Sequence, residues 1–187
     1  YITTDHPNAG PFTRYPRIIK WLMSAKAREE QIKAFKASDK VVGGSEIANL
    51  DRELGLYEIA QTTRAGPAKC LGLSAMYGGL KPGLDADVAV YDFNPEKEHK
   101  PMEIEDAFSE VKYLFKTGVP IIMDRKFVSE GKKRTLWVDA KVNENAQVMR
   151  DVKEKFLKFY TVTEKNYEVT GKHFIPNPYA IEVDATH

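Results

Sequence analysis

The chain has 187 residues, in which 28 lysines and arginines stand against 27 aspartates and glutamates, so its formal net charge at pH 7 is +1. This length supports one or two domains with a sizeable core, and the balance of charges excludes the basic excess that is typical of nucleic-acid-binding proteins. The single cysteine, Cys70, excludes an internal disulfide framework and predicts a cytoplasmic location, and no apolar run approaches the about 18 residues that predict a membrane span.

The chain opens on a short β-prone run, Tyr1 to Thr4, which ends in Asp5 and His6. The six residues that follow include two prolines, an asparagine and a glycine, and this composition predicts a shaped loop directly after a strand. A carboxylate and an imidazole at the tip of a strand are typical of the active sites of α/β enzymes. A turn that Asp5 caps and that leaves His6 solvated fits the same residues, and the local pattern leaves both interpretations open.

Two helices are predicted after this loop. Pro16 suits the first turn of a helix over residues 13–23, in which apolar residues recur at helical spacing. Residues 25–36 predict a strongly charged surface helix with Ile32 and Phe35 as its apolar anchors.

Glycines interrupt the next helical stretch. Residues 43–44 are both glycine and predict a flexible joint, after which Ser45 suits the N-cap of a helix over residues 46–63. Gly66 predicts a break in that helix, and Pro67 predicts the start of another short one.

The pattern changes at residue 79, where turn residues begin to separate short β-prone runs. These runs predict an antiparallel β unit over residues 79–139. Within this unit His99 stands among charged residues and is predicted to be solvated. Residues 145–160 then predict an amphipathic helix with apolar residues at i, i+4, i+8 and i+11, and residues 180–183 predict a closing strand.

Three stretches together resemble a known family. They are TDHPN at residues 4–8, TTRAGPAKCLGL at 62–73 and GLKPGLDADVAVYD at 79–92. In this order they are similar to the C-terminal third of the amidohydrolase superfamily, where a T-x-N-P-A-K-x-L-G-L helix leads to G-x-L-x-x-G-x-D-A-D-L-V-V-x-D. One departure is Gly66, which stands where the superfamily often has asparagine. Residues 3–16 further resemble the strand-8 segment of the amidohydrolase-type subunits, the A subunits, of formylmethanofuran dehydrogenases.

The resemblance implies a fold of α/β plus β character. Residues 1–78 are expected to be the last strand and helices of a metal-dependent hydrolase (β/α)8 barrel. Residues 79–140 are expected to form a small β-sandwich, the composite domain, and residues 141–187 a helical C-terminal extension. Because the first residue is Tyr1 and not methionine, and opens within a predicted strand, we expect the greater part of the barrel to lie upstream.

The resemblance also implies a chemistry. Full-length members hold a binuclear, zinc-type site where formate condenses with methanofuran, or N-formylmethanofuran is hydrolysed. Asp5 is implied as a catalytic carboxylate and metal ligand, because a carboxylate on the last strand can bind a metal and accept a proton. His6, Asn8 and Arg14 are implied as substrate-binding residues of the loop that follows.

The family's other metal residues have no counterpart in this sequence. They are a His-x-His pair, a carboxylated lysine and two further histidines, and the remaining histidines here, His99, His173 and His187, do not form such a set. We therefore expect this chain alone to bind no metal and to be inactive.

The implied partners are the other subunits of the complex. Those subunits are implied to reduce carbon dioxide at a molybdenum or tungsten pterin, while methanofuran and formate are the small-molecule substrates of the amidohydrolase-type subunit. Two alternatives remain: a cyclic amidohydrolase of the dihydroorotase or hydantoinase type, and a non-catalytic structural or interaction module. Residues 7–12 fit the formylmethanofuran pattern better than the cyclic amidohydrolase one. The helix over residues 145–160 either packs on the barrel or docks a partner subunit.

Overall fold

A computed structural model describes residues 1–35, 45–131, 134–143, 145–163, 166 and 178–185 of the chain. The chain falls into two compact units, Tyr1–Gly131 and Lys132–His187. The division into domains after residues 78 and 140, which the sequence predicts, stays a prediction. The predicted glycine joint at residues 43–44 lies outside the described residues, as do His173 and His187. No helix in the described part of the chain is long and apolar enough to cross a membrane.

The N-terminal segment alternates like a strand without being one. Ile2 and Thr4 turn inwards, whereas Tyr1, Thr3 and Asp5 are exposed. A strand is defined by its ladder of hydrogen bonds to a neighbour, and residues 1–5 pair with no strand among the described residues. The predicted strand is therefore wrong as an element, although its inward and outward alternation is present.

A 3-10 turn (Phe12–Arg14) leads into helices α1 (Tyr15–Met23) and α2 (Ala25–Ala34). The prediction of both helices is confirmed, but the predicted anchors of α2 are wrong. Ile32 and Phe35 are exposed, and α2 instead buries Ala27 and Arg28. The spacing of charged residues in α2 predicts that they all face solvent. The sequence does not show that backbone carbonyls lie within reach of Arg28.

The predicted helix over residues 46–63 is wrong in its first half. Residues 46–49 form a turn, in which the Ala48 N–H donates to the Ser45 hydroxyl at 3.4 Å, and irregular chain follows. The Arg28 guanidinium binds carbonyls of that irregular segment, so tertiary contacts override helix propensity there. The helical part comprises α3 (Leu56–Ala60), a π-helical turn (Gln61–Ala65) and α4 (Gly66–Cys70). These three are continuous, so the predicted break at Gly66 is also wrong.

The first unit contains one antiparallel sheet. Its strands are β1 (Val88–Val90), β2 (Tyr113–Lys116), β3 (Val119–Met123) and β4 (Lys126–Phe127), in that spatial order. The two hairpins turn through pairs of residues with positive φ, Thr117 with Gly118 and Asp124 with Arg125. Such pairs are type I′ turns, whose twist matches that of the flanking strands. The antiparallel prediction is confirmed for residues 88–127.

The core of the first unit joins helices that are distant in sequence. Ile19 of α1, Ile59 of α3 and Ile104 of helix α5 (Pro101–Ser109) form its buried centre, and Ile2 packs against it. Burial of such aliphatic side chains stabilises the fold by roughly 1.5–3 kcal/mol each. The N-terminal segment is thus held by side-chain packing on the helices.

The second unit contains a parallel pair of strands, β5 (Thr135–Val142) and β6 (Pro178–Ala185), with helix α6 (Gln147–Phe159) between them in sequence. The sequence pattern assigns residues 134–138 to the antiparallel unit, and this assignment is wrong. Nothing in the spacing of β-prone runs distinguishes a strand that continues a meander from one that pairs in parallel with a distant partner.

Candidate functional site

Asp5 lies at the end of the inward-packed N-terminal segment and is exposed. Its φ of 49° is in the left-handed region, which aspartate tolerates better than most residues because its short side chain bonds locally. The Asp5 N–H donates to the Thr3 hydroxyl at 3.2 Å, and the Asp5 carbonyl accepts from the Ala9 N–H at 3.1 Å. The carboxylate itself makes no hydrogen bond or ion pair with any described residue.

The bond between Asp5 and Ala9 closes a tight turn that also carries His6 and Asn8. Both are exposed, and the His6 ring meets Phe12 edge-on, with ring centroids 5.1 Å apart and planes 72° apart. The fold therefore brings three of the four predicted site residues into one turn. Backbone strain of this kind recurs at functional sites, where the surroundings hold it.

The fourth predicted residue, Arg14, lies further along. It is exposed at the end of the 3-10 turn, where its N–H donates to the Pro11 carbonyl at 2.9 Å. Its guanidinium contacts no described residue of the turn that carries Asp5. The structure thus does not join Arg14 to the other three predicted site residues.

The helical motif beneath the N-terminal segment has a feature that the sequence pattern did not reveal. Pro67 has no N–H, so a carbonyl one turn earlier loses its donor, and the helix widens into the π-helical turn, closed by the Gly66 N–H bound to the Gln61 carbonyl. A Cβ on Gly66 would lie 2.8 Å from that carbonyl oxygen and 4.0 Å from the Cβ of Tyr1. Glycine therefore permits the π turn, whereas the distance to Tyr1 is an ordinary van der Waals contact. π-Helical turns are frequent at functional sites.

The link between the second and third family motifs is a close backbone crossing. Gly72, with φ 71°, ends α4: the N–H groups of Gly72 and Leu73 return to carbonyls of α4 at 3.1 and 2.7 Å in a Schellman arrangement. Further on, a Cβ on Gly78 would lie 2.7 Å from the Cβ of Ala68. The sequence pattern marks Gly78 only as a turn residue. A side chain at residue 78 would therefore collide with Ala68 of the preceding helix.

His99 is not solvated as predicted. Its ring stacks on Phe93 with centroids 4.2 Å apart, Nε2 lies 2.6 Å from the Asn94 carbonyl oxygen, and Nδ1 lies 3.8 Å from Glu103. The Glu103 carboxylate also accepts from the Lys100 N–H at 2.9 Å and so caps α5. His99 therefore supports the start of a helix, and an aromatic ring six residues earlier was the sequence signal for it.

Asp5 is the candidate metal donor that the family resemblance assigns at this site. No three His, Cys, Asp or Glu side chains among them are grouped as a metal centre requires. Asp5 fits the part of one ligand, since its carboxylate is exposed and unpaired, and carboxylate oxygens bind zinc.

Sequence comparison defines the class of this protein. The profile of the family described as "Amidohydrolase family" matches residues 1–122, which is most of the chain and includes Asp5, His6, Asn8 and Arg14. The chain belongs to the amidohydrolase family.

Within that family the similarity is to one type of subunit, which confirms the resemblance found in the sequence. The chain is 45% identical over 190 residues to Protein FwdA of Methanocaldococcus jannaschii, covering 99% of this chain and 32% of the relative. It is 42% identical over 143 residues to the A subunit of the formyltransferase/hydrolase complex Fhc of Methylorubrum extorquens, covering 76% of this chain and 24% of the relative.

A solved structure supports the same relationship. A chain in the X-ray crystal structure of the formyltransferase/hydrolase complex FhcABCD from Methylorubrum extorquens, in complex with methylofuran, matches with a TM-score of 0.68 at 32% identity. The match covers 96% of this chain and 32% of that chain. The chain therefore spans about a third of the length of these relatives.

Proposed function

We propose that the chain forms the C-terminal part of an amidohydrolase-type subunit that condenses formate with methanofuran, or hydrolyses N-formylmethanofuran, at a binuclear metal site. The observation that carries this proposal is Asp5: an exposed, unpaired carboxylate at the end of an inward-packed segment, in a chain of the amidohydrolase family. The methylofuran in the related FhcABCD structure supports a substrate of the furan cofactor class.

Asp5 would act as a metal ligand and as the base of the reaction. In the full-length subunit, bound zinc or a similar divalent metal would lower the pKa of its water and polarise the formyl group. The Asp5 carboxylate then accepts a proton from the attacking water, or from the amine in the direction of condensation. The left-handed backbone at Asp5 supports this role, because it fixes where the carboxylate leaves the chain.

His6, Asn8 and Arg14 would bind the substrate from the same loop. Asn8 offers an amide, and Arg14 a guanidinium suited to the carboxylates of an acidic cofactor or to formate. His6 would chiefly hold the loop through its contact with Phe12.

The larger architecture is part of the proposal. Residues 1–78 would complete a (β/α)8 barrel, and residues 79–140 would contribute to a β-sandwich. Residues 1–5 pair with no described strand, so they would become the last barrel strand only by pairing with strands in the rest of the full-length subunit. The partners would be the other subunits, with a molybdenum or tungsten pterin on those subunits only. A cytoplasmic location stays a prediction from the single cysteine.

The test is Asp5→Asn in the full-length subunit, purified with its complex. Asparagine tolerates the left-handed backbone, so folding should be unchanged. We expect hydrolysis of N-formylmethanofuran to fall by about 10²–10⁴-fold, the usual contribution of a positioned acid or base, and the metal content to fall with it. The matched control is Asp106→Asn, an exposed carboxylate of α5 without a described partner, which should leave both unchanged.

Two results would reject the proposal in different ways. Full activity of the Asp5→Asn variant would remove Asp5 from the site. Hydrolysis of dihydroorotate or hydantoin by the wild-type subunit, in place of N-formylmethanofuran, would favour the cyclic amidohydrolase alternative. The 187-residue chain alone should show neither stoichiometric zinc nor turnover. Finding both would refute the proposal that its metal site is incomplete.

A further inference from the structure

The sheet of the second unit has one largely apolar face. In the register of β5 and β6, Val138 pairs with Ile181 and Ala140 pairs with Val183. Because successive side chains along a strand point to opposite faces, one face carries the aliphatic side chains of Leu136, Val138, Ala140, Val142, Ile181 and Val183. Tyr179 lies on the same face, where the Arg134 guanidinium is 5.0 Å from the centroid of its ring. Lys141 Nζ lies 3.7 Å from Glu182 Oε2 on the opposite face. Val138 is nevertheless 58% exposed.

Helix α6 carries a matching apolar stripe. Val148, Val152, Phe156 and Phe159 follow the spacing i, i+4, i+8 and i+11, which places them along one side of a helix. No residue of α6 is buried, and Val148 and Phe159 are 62% and 69% exposed. Two apolar surfaces are therefore exposed within one unit.

The chain order indicates how the two surfaces meet. Parallel strands are joined by crossovers, usually helical, and parallel sheets are found with their faces covered by those helices. A two-stranded sheet is at best marginally stable in water without such a cover. Helix α6 lies in the crossover between β5 and β6, with residues 143–146 before it and residues 160–177 after it.

We propose that α6 closes over the apolar face of the β5–β6 sheet as the crossover helix of a β–α–β unit. The sizes agree: 13 helical residues span about 20 Å, and eight strand residues span about 26 Å. The crossover runs antiparallel to the strands. Val148 therefore lies towards the Val142 end, Val152 over Val183, and Phe159 towards Leu136. The polar face, with Lys141 and Glu182, stays in solvent.

Disulfide trapping tests this arrangement in the full 187-residue chain, in a Cys70→Ser background. The pair Val152→Cys with Val183→Cys is compared with Val152→Cys plus Glu182→Cys, whose second cysteine is one residue away on the opposite sheet face. We expect the first pair to form an intrachain disulfide at dilute protein concentration at least ten times faster than the second. Equal rates would overturn the proposal, and so would predominantly interchain products, which indicate a second copy as the cover.

Hydrogen exchange tests the same closure without new cysteines. Val152→Asn should speed amide exchange in β5 and β6 at least tenfold, because the closed helix protects the sheet. Glu154→Asn, on the far side of α6, should not. Equal exchange in both variants would show that α6 does not cover the sheet, whether or not the cysteine pairs fold.

Discussion

Replacing Gly66 by alanine should destabilise the first unit, although the same change stabilises an ordinary helix. In a helix interior, alanine is favoured over glycine by about 1 kcal/mol. Here the added Cβ would lie 2.8 Å from the Gln61 carbonyl oxygen, closer than such atoms pack. Relief of the contact requires a backbone shift, and such overpacking costs about 1–3 kcal/mol. The hydrogen bond that closes the π turn, worth about 1 kcal/mol, would also be strained. We expect a net loss of about 1–2 kcal/mol.

Urea unfolding followed by tryptophan fluorescence measures this effect. The chain has two tryptophans, so a Trp137→Phe background leaves Trp21 of α1 as the reporter of the first unit. Gly55→Ala is the matched control, because a Cβ there meets nothing within 4 Å and its φ of −79° suits alanine. Its unfolding free energy should change by less than about 0.5 kcal/mol. A Gly66→Ala protein more stable than the parent would refute the role assigned to this glycine.

Three further predictions concern other parts of the first unit. Thr117→Asn should raise the unfolding free energy by about 0.5–1 kcal/mol, because a β-branched residue with φ 49° is strained and Asn-Gly suits a type I′ turn; a Thr117→Val control should give no gain in thermal unfolding. Arg28→Met should cost about 2–4 kcal/mol by urea unfolding, because the buried guanidinium donates to three backbone carbonyls; a loss below 1 kcal/mol would contradict this. The Arg125 guanidinium beside Asp92 holds the pKa of that carboxyl below its usual value, so the stabilisation is present above the ordinary carboxyl pKa and is lost as pH falls through the lowered one. Asp92→Asn should therefore be less stable than the parent near neutral pH and equal to it in strong acid, by thermal unfolding at low salt; a constant difference across pH would exclude the ion pair as its cause.

The elements that could be predicted from sequence are those with strong local signals. Pro16 marked the start of α1, Thr117 and Gly118 marked a hairpin, and the family motifs led to the amidohydrolase assignment. The residues placed at the site were found through the resemblance, since the pattern around Asp5 alone fits an ordinary turn equally well.

The features that escaped prediction depend on contacts between distant residues. The irregular chain after Ser45 exists because Arg28 binds its carbonyls, and a charged residue in a charged helix carries no mark of burial. The π turn depends on the close approach of Gly66 to the Gln61 carbonyl, which the residue types in that stretch did not reveal. Likewise β5 finds its partner only across the residues that separate it from β6, so its local pattern could not reveal which sheet it joins.

The packing of the N-terminal segment has a consequence for its motions. Ile2 and Thr4 are held by their side chains, yet no backbone hydrogen bond ties residues 1–4 to any other described residue. Their amide protons are therefore open to exchange with solvent while the side chains of Ile2 and Thr4 stay packed. In most segments, buried side chains and protected amides occur together. In this chain the position of the Asp5 carboxylate is consequently set by the packing of Ile2 on the buried cluster around Ile59 and not by pairing in a sheet. A change in the packing of that cluster therefore also moves Asp5.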